Sequence, residues 1–367
     1  MIDCVIVGEA WGRQEAAYGE AFVGDAGQEL YRMLGDAGFH NNILPRHFVS
    51  PLRMSKLWEA FPYPRLNVFN CRPPDPEAKN RVEFFYAKPS DKKDIDRSLP
   101  RRRFGASNAY VLKRFGADVR LLHEHLRSLQ PFLIIALGAT ALWALGITGG
   151  IKSLRGSVIQ SDYGKVLPII HPAAILRDWS QRTIAVLDFV KARRELQYPE
   201  IRVTPREIWT EPTINDLYTW WDEHGSKSSL LAIDIETVRE VQQVGEINIA
   251  SDSTHALHVP FVYRDSDKPK HLTRWWKTDA DELAAWQFVK MVCESPIPKI
   301  NQNIVQFDVY WMLKELGIGI LNIVDDTMQK MHCVQPEWDK NLGFLGSIFC
   351  NERQWKYIRR ETGKSDD

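Results

Sequence analysis

The sequence lacks the features of secreted, disulfide-rich or membrane-spanning proteins. Its 367 residues include five cysteines, an odd number without a CxxC pair, which argues against a disulfide framework or a zinc ribbon. No uninterrupted apolar run is long enough to span a bilayer. The chain begins without the basic, apolar and small-residue segments of a signal peptide. We therefore expect a protein of a reducing cytoplasm with no membrane partner.

An excess of charge of either sign is also missing. The 47 Lys and Arg residues are balanced by 47 Asp and Glu residues, so the overall charge indicates neither a nucleic-acid nor a membrane partner. The hydrophobic content of 44% is ordinary for a globular protein. A chain of this length is expected to form two or three domains.

Short apolar runs alternate with helix-like segments over the first half of the chain. IDCVIV (2–7) reads as a strand, a glycine-rich loop follows, and DAGQELYRMLGDAGF has helical periodicity. The alternation continues through FLIIALG (132–138) and VLPII (166–170), which is the pattern of a parallel sheet. We predict a layered α/β domain over residues 1–198.

The pattern changes after a proline-rich segment. Residues 199–214 show neither the helical nor the strand period, which indicates a linker. Beyond it, SSLLAIDIE (228–236) reads as a strand, with EINIASD and HALHVPF as antiparallel neighbours. We predict a second domain over residues 215–367, built on a mixed sheet flanked by helices.

Three segments with unusual chemistry fall where predicted strands end. They are the loop GEAWGRQEAAYGEAFVGDAG (8–27) with its five glycines, NVFNCRPP (67–74) and IIHPAAILR (169–177). Ligands of open α/β sheets bind beyond the carboxyl ends of the strands, and glycine lets a ligand approach the backbone closely. The loop has neither GxxxxGK[ST] nor strict GxGxxG spacing, the signatures of common nucleotide-binding loops.

The order of these motifs resembles the uracil-DNA glycosylase superfamily. GEAWGxxE, AFVGxAG, NVFNCRPP, ALGxxA, LRG and HPAAILR follow one another within residues 1–196. The pattern is closest to the branch that opens with GEAPGxxE and PFVGxAG, especially its phage-type members. The resemblance implies a parallel-sheet sandwich and a DNA-repair hydrolase. Such an enzyme cleaves the N-glycosidic bond of deoxyuridine in single- or double-stranded DNA.

The resemblance also implies a role for each residue of the candidate pocket. Gly8 would let the backbone approach a base turned out of the DNA stack, and Phe22 would stack on that base. The Asn67 amide would pair with N3–H and O4 of uracil, for which cytosine presents the reversed pattern. His171 would hydrogen-bond O2 as the base leaves as an anion.

Two glutamates of the opening loop are the candidate catalytic carboxylates. Glu9 or Glu15 would orient the attacking water in a member of this superfamily, and the sequence leaves both open. Trp11 stands where the family has proline, a departure that bears on the water site. The resemblance implies no cofactor for base excision itself.

Two further segments depart from the family pattern. The branch that the chain most resembles usually binds an iron–sulfur cluster through four cysteines. Only Cys71 falls at a matching place, and Cys4 lies in a predicted strand, so we predict no cluster. Residues 88–105 read as a basic, mobile surface insertion. Its RRRFG end (101–105) either crosses DNA phosphates or is a solvated charged loop.

Paired carboxylates follow the linker. In AIDIET (232–237), Asp234 and Glu236 stand two residues apart, on one face of a strand. NIVQFD (303–308) adds Asn303 and Asp308. These motifs resemble the DEDD-type 3′–5′ exonuclease of family A DNA polymerases, which is ribonuclease H-like. The resemblance implies Mg²⁺ or Mn²⁺ bound by the three carboxylates, with Asn303 holding the DNA strand.

The last motif of that exonuclease is not in its expected place. The family has a fourth acidic residue in a YxxxD helix, whereas Tyr357 and Glu361 follow the GFLGSIF helix too closely. We expect the chain to end before this motif. A polymerase chain or segment would then supply it, in the cytoplasm of a bacterium or of a phage-infected host.

Three functions stay open at this point. The first is a uracil-DNA glycosylase joined to an exonuclease-like module. The second is a binding module in which both domains hold DNA without cutting it. The third is the 3′–5′ exonuclease part of a phage DNA polymerase, whose first domain only positions DNA.

Overall fold

The computed structural model describes residues 2–45, 49–73, 84–91, 93–104, 107–238, 242–264 and 272–350. It divides the chain into two compact units. The first unit contains Met1–Arg202 and Gly343–Asp367, and the second contains Val203–Leu342. In the part of the chain so described, no helix combines the length and apolar character needed to cross a membrane.

The first unit is an α/β sandwich around one five-stranded sheet. The strand order is β2-β1-β6-β8-β7, and the pairs are parallel except for the antiparallel pair of β7 with β8. Its elements are β1 (Ile2–Ala10), α1 (Arg13–Tyr18), α2 (Asp25–Asp36), α3 (Pro51–Glu59), β2 (Arg65–Phe69), β3 (Tyr86–Ala87), β4 (Arg102–Phe104), β5 (Ser107–Val111), α4 (Lys113–Leu129), β6 (Pro131–Leu137), α5 (Gly138–Ala144), α6 (Ile151–Leu154), β7 (Ile159–Ser161), β8 (Gly164–Ile169), α7 (Pro172–Ile175) and α8 (Arg182–Glu195).

Alternation along the central strand builds a core on each face of this sheet. In β1, Cys4 and Ile6 enter one buried cluster, while Val5 and Val7 enter the other. All four side chains are fully buried, because successive residues of a strand point to opposite faces and both faces are covered by helices. Burial raises the pKa of the Cys4 thiol far above its ordinary value.

The second unit is built on a six-stranded mixed sheet of order β16-β15-β10-β11-β12-β9. Strand β11 runs antiparallel to its neighbours β10 and β12, and the other pairs are parallel. The elements are β9 (Glu207–Trp209), α9 (Ile214–Glu223), β10 (Leu231–Val238), β11 (Gln243–Ala250), β12 (His255–Pro260), β13 (Val262–Arg264), β14 (Leu272–Arg274), α10 (Asp279–Glu294), β15 (Lys299–Asn301), α11 (Asp308–Leu316), β16 (Ile323–Asp326) and α12 (Thr327–Val334). The next helix, α13 (Leu342–Phe349), begins at the last residue of this unit and otherwise belongs to the first.

The predicted fold classes are confirmed in both units. The first sheet is dominated by parallel pairs. In the second, three strands joined in an antiparallel meander continue into two parallel strands, the arrangement of a ribonuclease H-like sheet. One segment differs from expectation. Residues 207–209 of the predicted linker form β9, an edge strand paired with β12, and three residues are too few to show a period.

The last helix also lies elsewhere than the predicted boundary placed it. Helix α13 groups with the first unit, where Arg155 Nη1 donates to Ser347 Oγ at 3.0 Å. Lys191 Nζ donates to the carbonyls of Ser347 and Cys350. Burial lowers the pKa of Lys191 to about 8. Such buried donors bind backbone carbonyls far away in the sequence, which no local pattern predicts.

Candidate functional site

The carboxyl ends of four strands meet at one edge of the first sheet. Gly8 near the end of β1 lies in register with Asn67 of β2. On the other side, β6 and β8 end at the paired residues Leu137 and Ile169, and His171 follows two residues later. The parallel topology therefore brings three segments of the sequence to one rim, as expected for a ligand site in such a sheet.

Two glycines mark where the side chains converge. A Cβ atom on Gly8 would lie 2.5 Å from Asn67 Oδ1 and 2.5 Å from Phe22 Cζ. Directly after the neighbouring strand β6, at the first residue of α5, a Cβ on Gly138 would lie 3.1 Å from His171 Cβ, and Gly138 has φ +83°. Real Cβ atoms do not tolerate the first two distances. The amide and the ring thus pack directly against the backbone of Gly8.

The Phe22 ring is held by an unusual backbone. Phe22 has φ +64°, a left-handed conformation that costs a non-glycine residue free energy and is often found at functional sites. Its carbonyl accepts a hydrogen bond from the buried Trp58 indole at 2.8 Å. A Cβ on Gly27 would overlap the same carbonyl. Position 27, the last glycine of the AFVGxAG motif, therefore needs glycine because the Phe22 backbone lies too close for any side chain.

His171 is oriented by the chain that follows it. The residue caps helix α7, and its Nδ1 accepts a hydrogen bond from the Ala173 amide at 3.1 Å. In the neutral ring the proton must then lie on Nε2, which is left as a donor. Burial lowers the pKa of His171, while the charge of Glu9 raises it and that of Arg177 lowers it. The site therefore favours a neutral imidazole with an Nε2–H donor.

Glu9 ends a chain of hydrogen bonds that the sequence did not predict. Thr140 Oγ1 donates to Glu9 Oε2 at 2.6 Å. The same hydroxyl accepts from Arg102 Nη1 at 2.8 Å, and Arg102 also donates to the Tyr86 hydroxyl at 2.9 Å. Because the Thr140 oxygen already accepts a hydrogen bond from the Arg102 guanidinium, its own proton points to the Glu9 carboxylate. We call Arg102, Thr140 and Glu9 the carboxylate relay.

Arg102 corrects the interpretation of the basic segment 101–105. Its side chain is buried and lies over the Tyr86 ring, with Cζ 4.9 Å from the ring centroid. It is therefore neither a phosphate contact nor part of a mobile surface loop. Gly105 of this segment lies outside the described residues. Arg102 is one of three consecutive arginines, and the sequence gives no sign that it differs from the other two. Only the fold shows that its side chain is buried.

Glu15 has a different environment from Glu9. Its Oε1 accepts a hydrogen bond from the Gly24 amide at 2.8 Å, and the side chain is buried. A Cβ on Gly12 would lie 2.5 Å from Glu15 Oε2. The carboxylate therefore packs between two glycines of its own loop and ties the two ends of that loop together.

The cysteines do not fit an iron–sulfur cluster. Such a cluster needs four thiolates around one small volume, whereas Cys4 is fully buried inside β1 and Cys71 follows β2. Burial also raises the pKa of the Cys71 thiol. In the described ranges of the chain, no group of three cysteines is close enough to share a metal ion.

Two acidic residues of the second unit, Asp234 in the middle of β10 and Asp308 at the start of α11, form a close pair. The Asn301 amide donates to Asp234 Oδ1 at 2.9 Å and to Asp308 Oδ1 at 3.3 Å. Asp308 Oδ1 also accepts from the Ile235 amide at 3.0 Å. Burial, with the nearby Asp234 charge, raises the pKa of Asp308 to about 7. Two crowded carboxylates with oxygen donors fit a divalent cation such as Mg²⁺.

Glu236 and Asn303 are the other two residues predicted for the second site. Glu236 lies two residues beyond Asp234 on the same face of β10 and is exposed. Asn303 has φ +61°, and in the described part of the chain its buried Oδ1 has no hydrogen-bond partner. Asp326 holds it in place by accepting from the Asn303 amide at 2.9 Å. The residue that the sequence analysis missed is Asn301, which joins the carboxylates.

The first unit is an α/β sandwich in which Phe22 and Asn67 pack against Gly8 at the carboxyl ends of the strands. The family model described as uracil DNA glycosylase superfamily matches residues 2–197. The chain therefore belongs to the uracil DNA glycosylase superfamily, as the motif order predicted.

Solved structures with a weaker likeness concern another class of protein. The chain matches a crystal structure of the EXD2 exonuclease domain soaked in Mg at 13% identity and TM-score 0.24, covering 44% of this chain and 76% of that one. A second, soaked in Mn and Mg, matches at 13% identity and TM-score 0.25, with coverages of 44% and 77%. At these TM-scores the likeness carries no argument about the second unit.

Proposed function

We propose that the first unit is a uracil-DNA glycosylase, which hydrolyses the N-glycosidic bond of deoxyuridine in DNA. The supporting observation is the convergence of Phe22 and Asn67 on the backbone of Gly8, with His171 following β8 at the same edge of the sheet, two strands away from β1. A ring, an amide and a neutral imidazole are the groups needed to bind a flipped pyrimidine. Membership in the superfamily supports the same reaction class.

Asn67 selects the base in this proposal. Its side chain is 5% exposed, so an unmatched hydrogen-bonding group in the pocket would stay without water. The carboxamide pairs with both N3–H and O4 of uracil. Cytosine reverses these donors and acceptors and leaves buried groups unpaired, at a cost of roughly 1–3 kcal/mol for each group.

His171 stabilises the leaving group, and Glu9 orients the water. The Nε2–H of neutral His171 donates to uracil O2 as negative charge develops there. Glu9 is the better candidate of the two glutamates because it lies close enough to His171 to shift its pKa. Glu15 is instead occupied by the Gly24 amide. The attacking water gives the oxygen that replaces the base at C1′ of the sugar.

The test is incubation of the full chain with a uracil-containing oligonucleotide, with and without EDTA, followed by alkali. We expect strand breaks at uracil in both arms, because excision needs no metal. A matched cytosine oligonucleotide should stay intact. Asn67→Asp should lower uracil release while DNA binding is retained, since a carboxylate cannot donate to O4. Uracil release equal to wild type in Asn67→Asp would contradict the pocket assignment.

A second candidate function belongs to the second unit. The close pair Asp234 and Asp308 supports metal-dependent 3′–5′ shortening of DNA with Mg²⁺ or Mn²⁺. Glu236 would be the third ligand, and Asn303 would hold the strand. Shortening only with Mg²⁺ or Mn²⁺ supports this function, and DNA binding without either product supports a non-catalytic module.

A further inference from the structure

Three possible metal ligands meet at the outer edge of the second sheet. Glu207 is the first residue of β9, and His255 is the first residue of β12 and its register partner. His224 follows the end of helix α9. One ligand atom from each residue lies within 4.8 Å of the others. This group, which we call the edge triad, shares no residue with the acidic pair Asp234 and Asp308.

His255 is held with one nitrogen directed at Glu207. Asp252 Oδ2 lies 3.0 Å from His255 Nδ1, so Nδ1–H donates to the carboxylate and Nε2 carries the lone pair. Nε2 is 3.9 Å from Glu207 Oε2, beyond hydrogen-bond length. A histidine whose second nitrogen donates to a carboxylate is the usual arrangement of a metal-ligating imidazole.

The triad is slightly wider than a small tetrahedral ion requires. Ligand atoms at about 2.0–2.2 Å from zinc lie roughly 3.3–3.6 Å apart in a tetrahedron, whereas those of the triad lie within 4.8 Å of one another. A small side-chain rotation would close this gap, since Glu207 is exposed and both histidines are half-buried. The rings of His224 and His255 stack with centroids 4.3 Å apart, which places two imidazoles side by side.

The ligand chemistry separates this site from the acidic pair. Two imidazoles and one carboxylate suit zinc and its neighbours in the transition series, whereas Mg²⁺ prefers oxygen ligands. We propose that Glu207, His224 and His255 bind a divalent transition-metal ion of the zinc class, with water in the fourth position. The ion fastens the three-residue strand β9 and the loop after α9 to the start of β12.

The test uses the full chain with Zn²⁺ and Co²⁺ as probes in buffer containing Mg²⁺, which competes with the probes for the acidic pair. Exposed thiols such as those of Cys333 and Cys350 are also potential zinc ligands, so the parent protein is Cys333→Ser/Cys350→Ser. We expect one equivalent of Zn²⁺ by calorimetry, a zinc-dependent rise in melting temperature, and a visible absorption band with Co²⁺.

The variants decide whether the triad is the site. Glu207→Gln and His255→Asn should each weaken Zn²⁺ binding at least ten-fold, and Asp252→Asn about ten-fold through the orientation of His255. His332→Asn removes an exposed histidine of the same unit and should bind Zn²⁺ like the parent. Zn²⁺ binding unchanged in Glu207→Gln, an exposed and nearly isosteric change that preserves the fold, would overturn the proposal. Absence of binding by the parent would also overturn it.

Discussion

The base pocket and the acidic pair differ in how their polar groups are satisfied. In the pocket, Glu9 accepts from Thr140 and His171 accepts from a backbone amide, so the protein itself fixes both groups. In the acidic pair, Asp234 and Asp308 repel each other and share one amide donor. The repulsion between Asp234 and Asp308 is relieved by a cation or by a proton, which agrees with the raised pKa of Asp308. The two proposed activities should therefore separate by metal and by mutation.

The largest expected effect is that of Asp234→Ala. Removing this carboxylate should abolish Mg²⁺-dependent shortening of DNA, because the remaining ligands cannot hold the ion in place. Uracil excision should stay at the wild-type rate, since the pocket lies in the other unit. Both products are measured on one labelled uracil oligonucleotide. Asp222→Ala, an exposed acid of the same unit, serves as control. A parallel loss of excision would break the division between the sites.

His171→Ala should have the next largest effect. Loss of one donor to a developing anion costs about 10²–10³-fold in rate, so the single-turnover rate of uracil release should fall by that factor, with DNA affinity nearly unchanged. Metal-dependent shortening should not change.

The pH profile sharpens the assignment of His171. Because its pKa lies below the ordinary value of 6.5, the ring stays neutral at and above pH 6.5, and protonation occurs only in more acidic solution. Above pH 6.5 the protonation of His171 should therefore cause no change in the excision rate of the wild type. The acidic limb below it should disappear from the residual activity of His171→Ala. If the pH–rate profile of His171→Ala keeps the acidic limb, the titrating group is a residue other than His171.

Gly27→Ala should impair the pocket without touching the acidic pair. A methyl group here overlaps the Phe22 carbonyl, so the loop must shift and the ring must leave its position. We expect uracil release to fall about ten-fold or more and the free energy of unfolding to fall by about 1–3 kcal/mol. Gly150→Ala is the matched control, since its Cβ would meet only Ser153 Oγ at 3.6 Å. Chemical denaturation and excision assays give both quantities.

The smallest expected effect is in the carboxylate relay. Thr140→Val keeps the shape of the buried side chain but removes the donor to Glu9, a hydrogen bond to a charged group worth about 1.5–3 kcal/mol. The excision rate should fall about ten-fold, and Thr140→Ser should restore it. An equal loss in a Glu9→Gln background, where the relay has lost its target, would show that Thr140 acts only on stability.

Local patterns predicted the strands and their ends well. The period-two alternation of β1, the helical period of α2 and the polar residues after β2 and β8 are all encoded within a few neighbouring residues. Gly8, Phe22, Asn67 and His171 were predicted as site residues from motifs that resemble those of the superfamily, and the fold brings the strand ends that carry them to one edge of the sheet. Their roles in base excision stay predictions until the assays above are made.

Other features depended on contacts between distant parts of the chain. Thr140 and Glu9 are 131 positions apart, and Asn301 and Asp234 are 67 apart, so no periodic pattern could connect them. Strand β9 and helix α13 were misassigned for the same reason. A three-residue edge strand takes its identity from its partner, and α13 takes its place from buried donors of the first unit.

The sequence by itself determined two α/β units, the membership of the first in its superfamily and the residues at the strand ends. These depend on short-range alternation and on glycines that the backbone requires. Only the tertiary structure decided that Glu9 and Glu15 have different hydrogen-bond partners, that Arg102 is buried and not at the surface, and that Glu207, His224 and His255 lie close together. Such pairings arise when the strands assemble into a sheet and the helices pack on it. Register and burial then bring together side chains that are far apart along the chain.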